Sequence, residues 1–180
     1  LAEDQGSKLS NMEMCALVGA VLGAGSDTAV DLHSYLIKTL LQHPDQLEAL
    51  KNDESLVQGA ISETLRYESS GKTGLARYAS EDVNINGFDV KKGQMVQLIT
   101  STAGMDPKMY KNPEEFDIKR DHDKSISFGQ GPHYCIGVTL VRSQTEVMLR
   151  ELFKRFPNIS LGNEIVYDYN HHNARRMDVM

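Results

Sequence analysis

One uninterrupted helical pattern runs from Ser10 to about His43, and it limits the possible folds more than any other feature. Ser10-Asn11-Met12-Glu13 reads as a capping box, with a hydroxyl to accept an unpaired helix N–H and a carboxylate to reach back to the cap. Pro44 marks the stop, because proline has no N–H to continue the ladder. At ~1.5 Å per residue the helix would be about 50 Å long. Its first half, around Met14 to Ala24, is apolar on every side, which predicts a helix enclosed by neighbours rather than one lying on a surface. A chain of 180 residues leaves little sequence to enclose it, so the expectation is one portion of a larger domain.

Pro44 opens a short helix to about Lys51, and Asp53 or Ser55 caps another to about Tyr67, with Leu56, Ala60 and Leu65 inward. Over residues 69–102 the period shortens. Arg77-Tyr78-Ala79, Val83-Asn84-Ile85 and Phe88-Asp89-Val90 read as strands with Asn86-Gly87 as a hairpin turn, and Met95 to Ile99 as a further strand. Met105 to Ser127 is polar and irregular. A glycine-rich loop spans Phe128 to Gly137, a helix follows to about Phe156 before Pro157, and the tail to Met180 reads as a hairpin. The expected class is mainly α with small β-sheets (α+β).

The formal charge of −6 argues against a general binder of nucleic-acid backbones. Two cysteines are too few for a disulfide framework, which fits a reducing compartment; Cys15, in an apolar run, is expected to be a small core residue. The start, Leu1-Ala2-Glu3-Asp4-Gln5, has no secretory pattern. The longest apolar run, Met14 to Ala24, falls short of the ~20 residues of a membrane span, so no membrane segment is expected. His43, His122, His171 and His172 fit no standard zinc spacing.

The loop Phe128-Gly129-Gln130-Gly131-Pro132-His133-Tyr134-Cys135-Ile136-Gly137 carries the chemistry. Its three glycines let backbone pass close to something flat or bulky. Cys135 stands where a helix begins, and unpaired N–H groups there stabilise a thiolate that could hold a metal. A cysteine in a glycine-rich turn is also a common structural residue. Glu63-Thr64-Leu65-Arg66 puts an acid and a base on one helix face, a spacing common in exposed helices.

The ten-residue loop resembles the haem-ligand loop of the cytochrome P-450 family, Phe-Gly-x-Gly-x-His-x-Cys-x-Gly, at all six fixed positions. The glycines alone would match by chance in roughly 3 of 10,000 windows. Two further motifs occur in the family's order. Ala24-Gly25-Ser26-Asp27-Thr28 resembles the acid–alcohol pair of the long distal helix, and Glu63-x-x-Arg66 the family's buried pair, which Arg120 from the irregular segment would join. The resemblance implies the C-terminal part of the family's fold, residues 1–180 forming the haem-binding part of a single larger catalytic domain: the long central helix, the Cys loop and the helix after it. It implies haem b (iron protoporphyrin IX), with Cys135 as the iron ligand and His133 and Arg77 on the propionates. Phe128, Gly129 and Gly137 would line the cofactor with Ala24 and Gly25, while Asp27 and Thr28 relay protons. His133 in place of Arg is similar to the soluble bacterial branch. Gly104-Met105-Asp106-Pro107 departs from a common Asn-Arg-Asp-Pro, removing an arginine that anchors the irregular segment.

The implied activity is that of a cytoplasmic haem-thiolate monooxygenase acting on a small organic substrate, with electrons from a ferredoxin or flavodoxin-like donor. The 180 residues alone are expected to be inactive. Two alternatives stand beside this reading: a haem-thiolate enzyme that uses peroxide or needs no dioxygen, and a non-catalytic binding or regulatory remnant. Asp27 and Thr28 favour the dioxygen route, because peroxide-using relatives often lack the pair. Ser69 to Leu75 and Tyr169 to His171 resemble substrate-facing segments.

Overall fold

The computed structural model describes residues 3–4, 7–69, 74–122, 125–162, 166–168 and 176–178. A short antiparallel pair, β1 (Glu3–Asp4) and β2 (Ser7–Lys8), precedes α1 (Asn11–Gln42). The capping box forms: the Ser10 hydroxyl accepts the Glu13 N–H at 3.2 Å, and Glu13 Oε2 accepts the Ser10 N–H at 2.8 Å. α2 (Pro44–Asn52) starts at the proline that ends α1. Asp53 then caps a 3₁₀ turn, Glu54–Leu56, by accepting the Ser55 N–H, and α3 (Val57–Tyr67) follows.

The strand region forms two ribbons. β3 (Leu75–Tyr78) pairs antiparallel with β6 (Met95–Leu98), setting Arg77 opposite Val96. β4 (Val83–Ile85) and β5 (Phe88–Val90) are joined by Asn86 and Gly87, at φ 50° and 91°. Both lie in the left-handed region that a tight hairpin turn requires. A short α4 (Thr100–Ala103) leads into the irregular segment, and α5 (Val138–Arg155) follows the Cys loop. The expected tail hairpin is present as β7 (Val166–Asp168) and β8 (Arg176–Asp178).

The core sits where α2, α3 and α5 meet the second half of α1. Leu32, Leu36 and Leu40 pack with Leu47, Leu50, Ala60, Ile61 and Leu149, and Phe116 and Ile118 join from the irregular segment. Gly59 permits that last approach, since a Cβ there would lie 2.2 Å from the Ile118 carbonyl oxygen. The first half of α1 corrects two expectations. It is not enclosed: Met12, Leu17, Val18, Val21 and Leu22 are exposed. Cys15 is exposed with them instead of lying in the core. The physical reason is that the helices converge on Asp31–Leu40, and among the described residues no element covers the turns before it. By length and composition α1 could cross a membrane, which the shorter run Met14 to Ala24 did not suggest. Its second half, with Asp31 and Lys38 buried, packs as protein core instead.

Candidate functional site

The Cys loop is closed by its own backbone. The Cys135 N–H donates to the Phe128 carbonyl at 2.9 Å, and the Tyr134 N–H to the Gly131 carbonyl at 3.0 Å. Gly129 and Gly131 adopt φ of 77° and 68°, and a 3₁₀ turn spans Gly131–His133. α5 begins directly after the loop, as the sequence suggests: Gly137 is its N-cap and Val138 its first residue, so Cys135 lies on the turn leading in. The thiol is exposed. A Cβ on Gly137 would sit 3.8 Å from the sulfur, so glycine keeps that flank of Sγ clear. Phe128 packs on the core edge beneath the Arg142 guanidinium, 5.3 Å from its ring centroid.

The Glu63 cluster is the opposite kind of site. Glu63 is fully buried and Arg66 2% exposed. Arg66 donates to both Glu63 oxygens, Nε to Oε2 at 2.8 Å and Nη2 to Oε1 at 2.7 Å. Arg120 Nε adds a bond to Oε1 at 3.2 Å, and the Asp117 N–H another at 2.8 Å. The remaining guanidinium donors reach carbonyls: Arg66 those of Gly104, Pro113 and Glu115, Arg120 those of Lys111, Asn112 and Glu115. The irregular segment lacking the usual arginine at position 105 is therefore anchored from α3. A fully bonded buried ion cluster specifies one geometry more than it adds stability.

On α1, the Thr28 hydroxyl donates to the Ala24 carbonyl at 2.6 Å, and Ser26 leans toward Asp27 at 3.5 Å. A Cβ on Gly23 or Gly25 would meet nothing within 4 Å, so the helix is open beside Asp27 and Thr28. Arg77 is exposed on β3 and hydrogen-bonds the Ala76 carbonyl at 2.9 Å; among the described residues it has no carboxylate partner. His133 is exposed in the loop. The structure thus brings Glu63, Arg66 and Arg120 together and assembles the Cys loop. No hydrogen bond or ion pair among the described residues links Asp27, Thr28, Arg77, His133 and Cys135 to one another.

These residues fit a haem. An accessible thiol suits iron, an exposed arginine with no carboxylate partner among the described residues suits a propionate, and glycines leave room for a flat macrocycle. Of the histidines weighed as ligands, His43 donates from Nδ1 to the Thr39 carbonyl at 2.8 Å and packs its ring against Phe116, while His171 and His172 lie outside the described residues. So do Tyr169, Asn170 and residues 70–73 of the substrate-facing segments. Sequence reasoning gave no place in the site to Gln46, whose side chain accepts the Ile118 N–H at 3.1 Å, and did not foresee that His122 lies beside Glu63. Gly59 carried a readable signal, a glycine in the first turn of α3, where a better helix former would be favoured.

The sequence profile of the cytochrome P-450 family matches residues 1–162. The epothilone C/D epoxidase of Sorangium cellulosum is 38% identical over 94% of this chain and 40% of its own length. The cytochrome P-450 monooxygenase PikC of Streptomyces venezuelae is 35% identical over 89% of this chain and 38% of its own. A crystal structure of an epothilone D-bound cytochrome P-450 superposes with a TM-score of 0.90 at 37% identity, covering 97% of this chain and 43% of that one. The chain therefore spans about 40% of the length of these relatives. With the profile matched across the long helix, the buried ion cluster and the Cys loop alike, the chain belongs to the cytochrome P-450 family.

Proposed function

We propose that these residues are the C-terminal, haem-binding part of a single larger catalytic domain, a bacterial haem-thiolate monooxygenase working in the cytoplasm. The observation that carries the reading is the exposed Cys135 thiol in a glycine-flanked loop, in a chain whose relatives include an epoxidase and a monooxygenase. When bound, the haem supplies the redox chemistry: dioxygen takes up two electrons and two protons, one oxygen atom enters the substrate and the other leaves as water. Cys135 holds the iron through its thiolate. Phe128, Gly129 and Gly137 shape the surface around the sulfur. Arg77 and His133 hold the propionates by charge-assisted bonds. On α1, Ala24 and Gly25 would leave room for the cofactor, and the Asp27 carboxyl and Thr28 hydroxyl would hold and pass protons.

The substrate is a small organic molecule, and the electron donor a ferredoxin or flavodoxin-like protein. α5 supports an acidic donor, since Arg142, Arg150, Lys154 and Arg155 outnumber Glu146 and Glu151 along it. The 180 residues alone are inactive under this reading, because α1 leaves its first half open. The test uses the full-length protein. Cys135→His should abolish the strongly red-shifted ferrous–CO absorption band that thiolate ligation gives, while an unchanged band would overturn the assignment.

A further inference from the structure

We propose that the cleft between α3, α5 and the Cys loop is a binding site for an oxyanion, gripped by Arg142 on one wall and by the imidazole of His122 on another. The cleft has a volume of about 640 Å³, and its lining includes Ser62, Ser125, Gln130 and Tyr134 beside those two residues. Nearly all of these side chains can donate a hydrogen bond, and among the described lining residues there is no carboxylate.

Arg142 brings a charge whose partners among the described residues are all neutral. Nη1 donates to Gln58 Oε1 at 2.9 Å, Nη2 to Ser62 Oγ at 3.0 Å, and the plane stacks over Phe128. The guanidinium is thereby fixed in place without being neutralised, the condition for recognising an anion.

His122 supplies the second observation. Its side chain is 10% exposed, yet neither ring nitrogen has a hydrogen-bond partner. Buried polar atoms are seldom left so. Nε2 lies 3.5 Å from Glu63 Oε2, which accepts only from Arg66 Nε, whereas Oε1 already takes three donors. Oε2 can accept one more bond. With Nε2–H turned to Glu63, Nδ1 remains, and an acceptor bound in the cleft gives it a partner once it carries a proton.

The charges around the ring are Glu63 and Asp121 against Arg66 and Arg120, with Arg142 across the cleft. Burial, helped by the two arginines, holds the imidazole below its ordinary range and outweighs the two carboxylates. An anion in the cleft adds to the carboxylates' pull, so its binding and proton uptake by His122 are linked. The oxyanion could be a free inorganic ion or a carboxylate; both offer the same acceptor atoms.

The experiment follows the histidine ring ¹⁵N resonances of the full-length protein as sodium sulfate or glutarate is added at constant ionic strength. Sulfate stays doubly charged across the range, so pH changes report on the protein. Resonances lost in His122→Gln identify the ring. Either anion should move His122 toward its protonated form, sulfate should bind more tightly as pH falls, and Arg142→Gln should weaken the effect at least about tenfold. Arg142→Lys should keep much of it, and Lys51→Gln, outside the cleft, all of it. Movement with sulfate alone assigns the site to a free inorganic oxyanion, and with glutarate alone to a carboxylate. No movement with either, equal movement with chloride, or an unchanged affinity in Arg142→Gln would overturn the proposal.

Discussion

The Glu63 cluster and the candidate residues Asp27, Thr28, Arg77 and Cys135 are both built from groups that bond strongly, and they are finished in opposite ways. In the cluster each charge is buried and answered within the chain: Glu63 takes four donors, and the arginines spread theirs over carbonyls of one irregular segment. Each of the candidate side chains is exposed, and among the described residues the side-chain bonds of Thr28 and Arg77 stay within their own segments, to Ala24 and Ala76. Polar groups that hold a fold are satisfied by it, whereas groups that serve a ligand keep bonding capacity in reserve. Removing a residue from the first region should therefore cost folding, and from the second, function.

The largest effect is expected at Glu63. Glu63→Ala leaves two guanidinium groups facing a cavity without their carboxylate, a loss of about 3–5 kcal/mol. Against a typical domain stability of ~5–15 kcal/mol, soluble yield and unfolding midpoint should fall sharply. Normal yield and midpoint in that variant would show that the cluster does not hold the irregular segment to α3.

The two halves of α1 allow the same comparison with one residue type. Leu36 is fully buried and Leu22 is 67% exposed. Leu36→Ala should cost about 2–5 kcal/mol. Were nothing else to cover the helix, Leu22→Ala would cost within ~0.5 kcal/mol. In the full-length protein the cost at Leu22 should rise toward that at Leu36, because the proposed remainder of the domain would enclose the first half. Denaturant midpoints of the two variants measure the difference, and a cost that stays negligible at Leu22 counts against a larger domain around α1.

What could be read beforehand followed how local each signal was. The capping box, the Pro44 break and the Asn86-Gly87 turn depend on a few adjacent residues, and all three formed as read. The apolar circumference of α1 was also a sound reading of sequence, but burial needs neighbours, and Cys15 shows that an apolar run alone does not place a residue in a core. Glu63 and Arg66 share a helix face by spacing, whereas Arg120 could be assigned to them only through the family pattern; it lies far along the chain in a segment with no period. His122 was weighed only as a metal ligand, since no local pattern reveals that an irregular segment folds it against Glu63.

A smaller effect is expected from acidification. Burial holds His33 and His122 below the ordinary histidine value of 6.5. The unfolded chain then takes up protons first as pH drops, so stability falls as pH passes down through about 6.5 and levels off once the folded-state histidines protonate. Urea midpoints at pH 7.5 and 5.5 should differ in that direction, and His33→Gln with His122→Gln should flatten the slope. A midpoint that rose on acidification would contradict the burial of both rings.

The smallest effect on the fold, and the sharpest separation of the two regions, is expected at Thr28. Its hydroxyl is exposed and bonds a carbonyl one turn back, an interaction that competes with the helix ladder rather than supporting it. Thr28→Ala should shift stability by no more than ~0.5 kcal/mol and leave haem content near normal. If the hydroxyl passes protons, the loss appears elsewhere: less product per reduced nicotinamide consumed, with the difference released as peroxide. Asp27→Asn should act in the same direction, since a proton held on the carboxyl has to reach the hydroxyl or the solvent. Unchanged coupling in both variants would remove the proton-delivery role. A large stability loss in Thr28→Ala would instead make this position structural and erase the contrast with Glu63, whose removal should take away folded protein before any change in coupling could be measured.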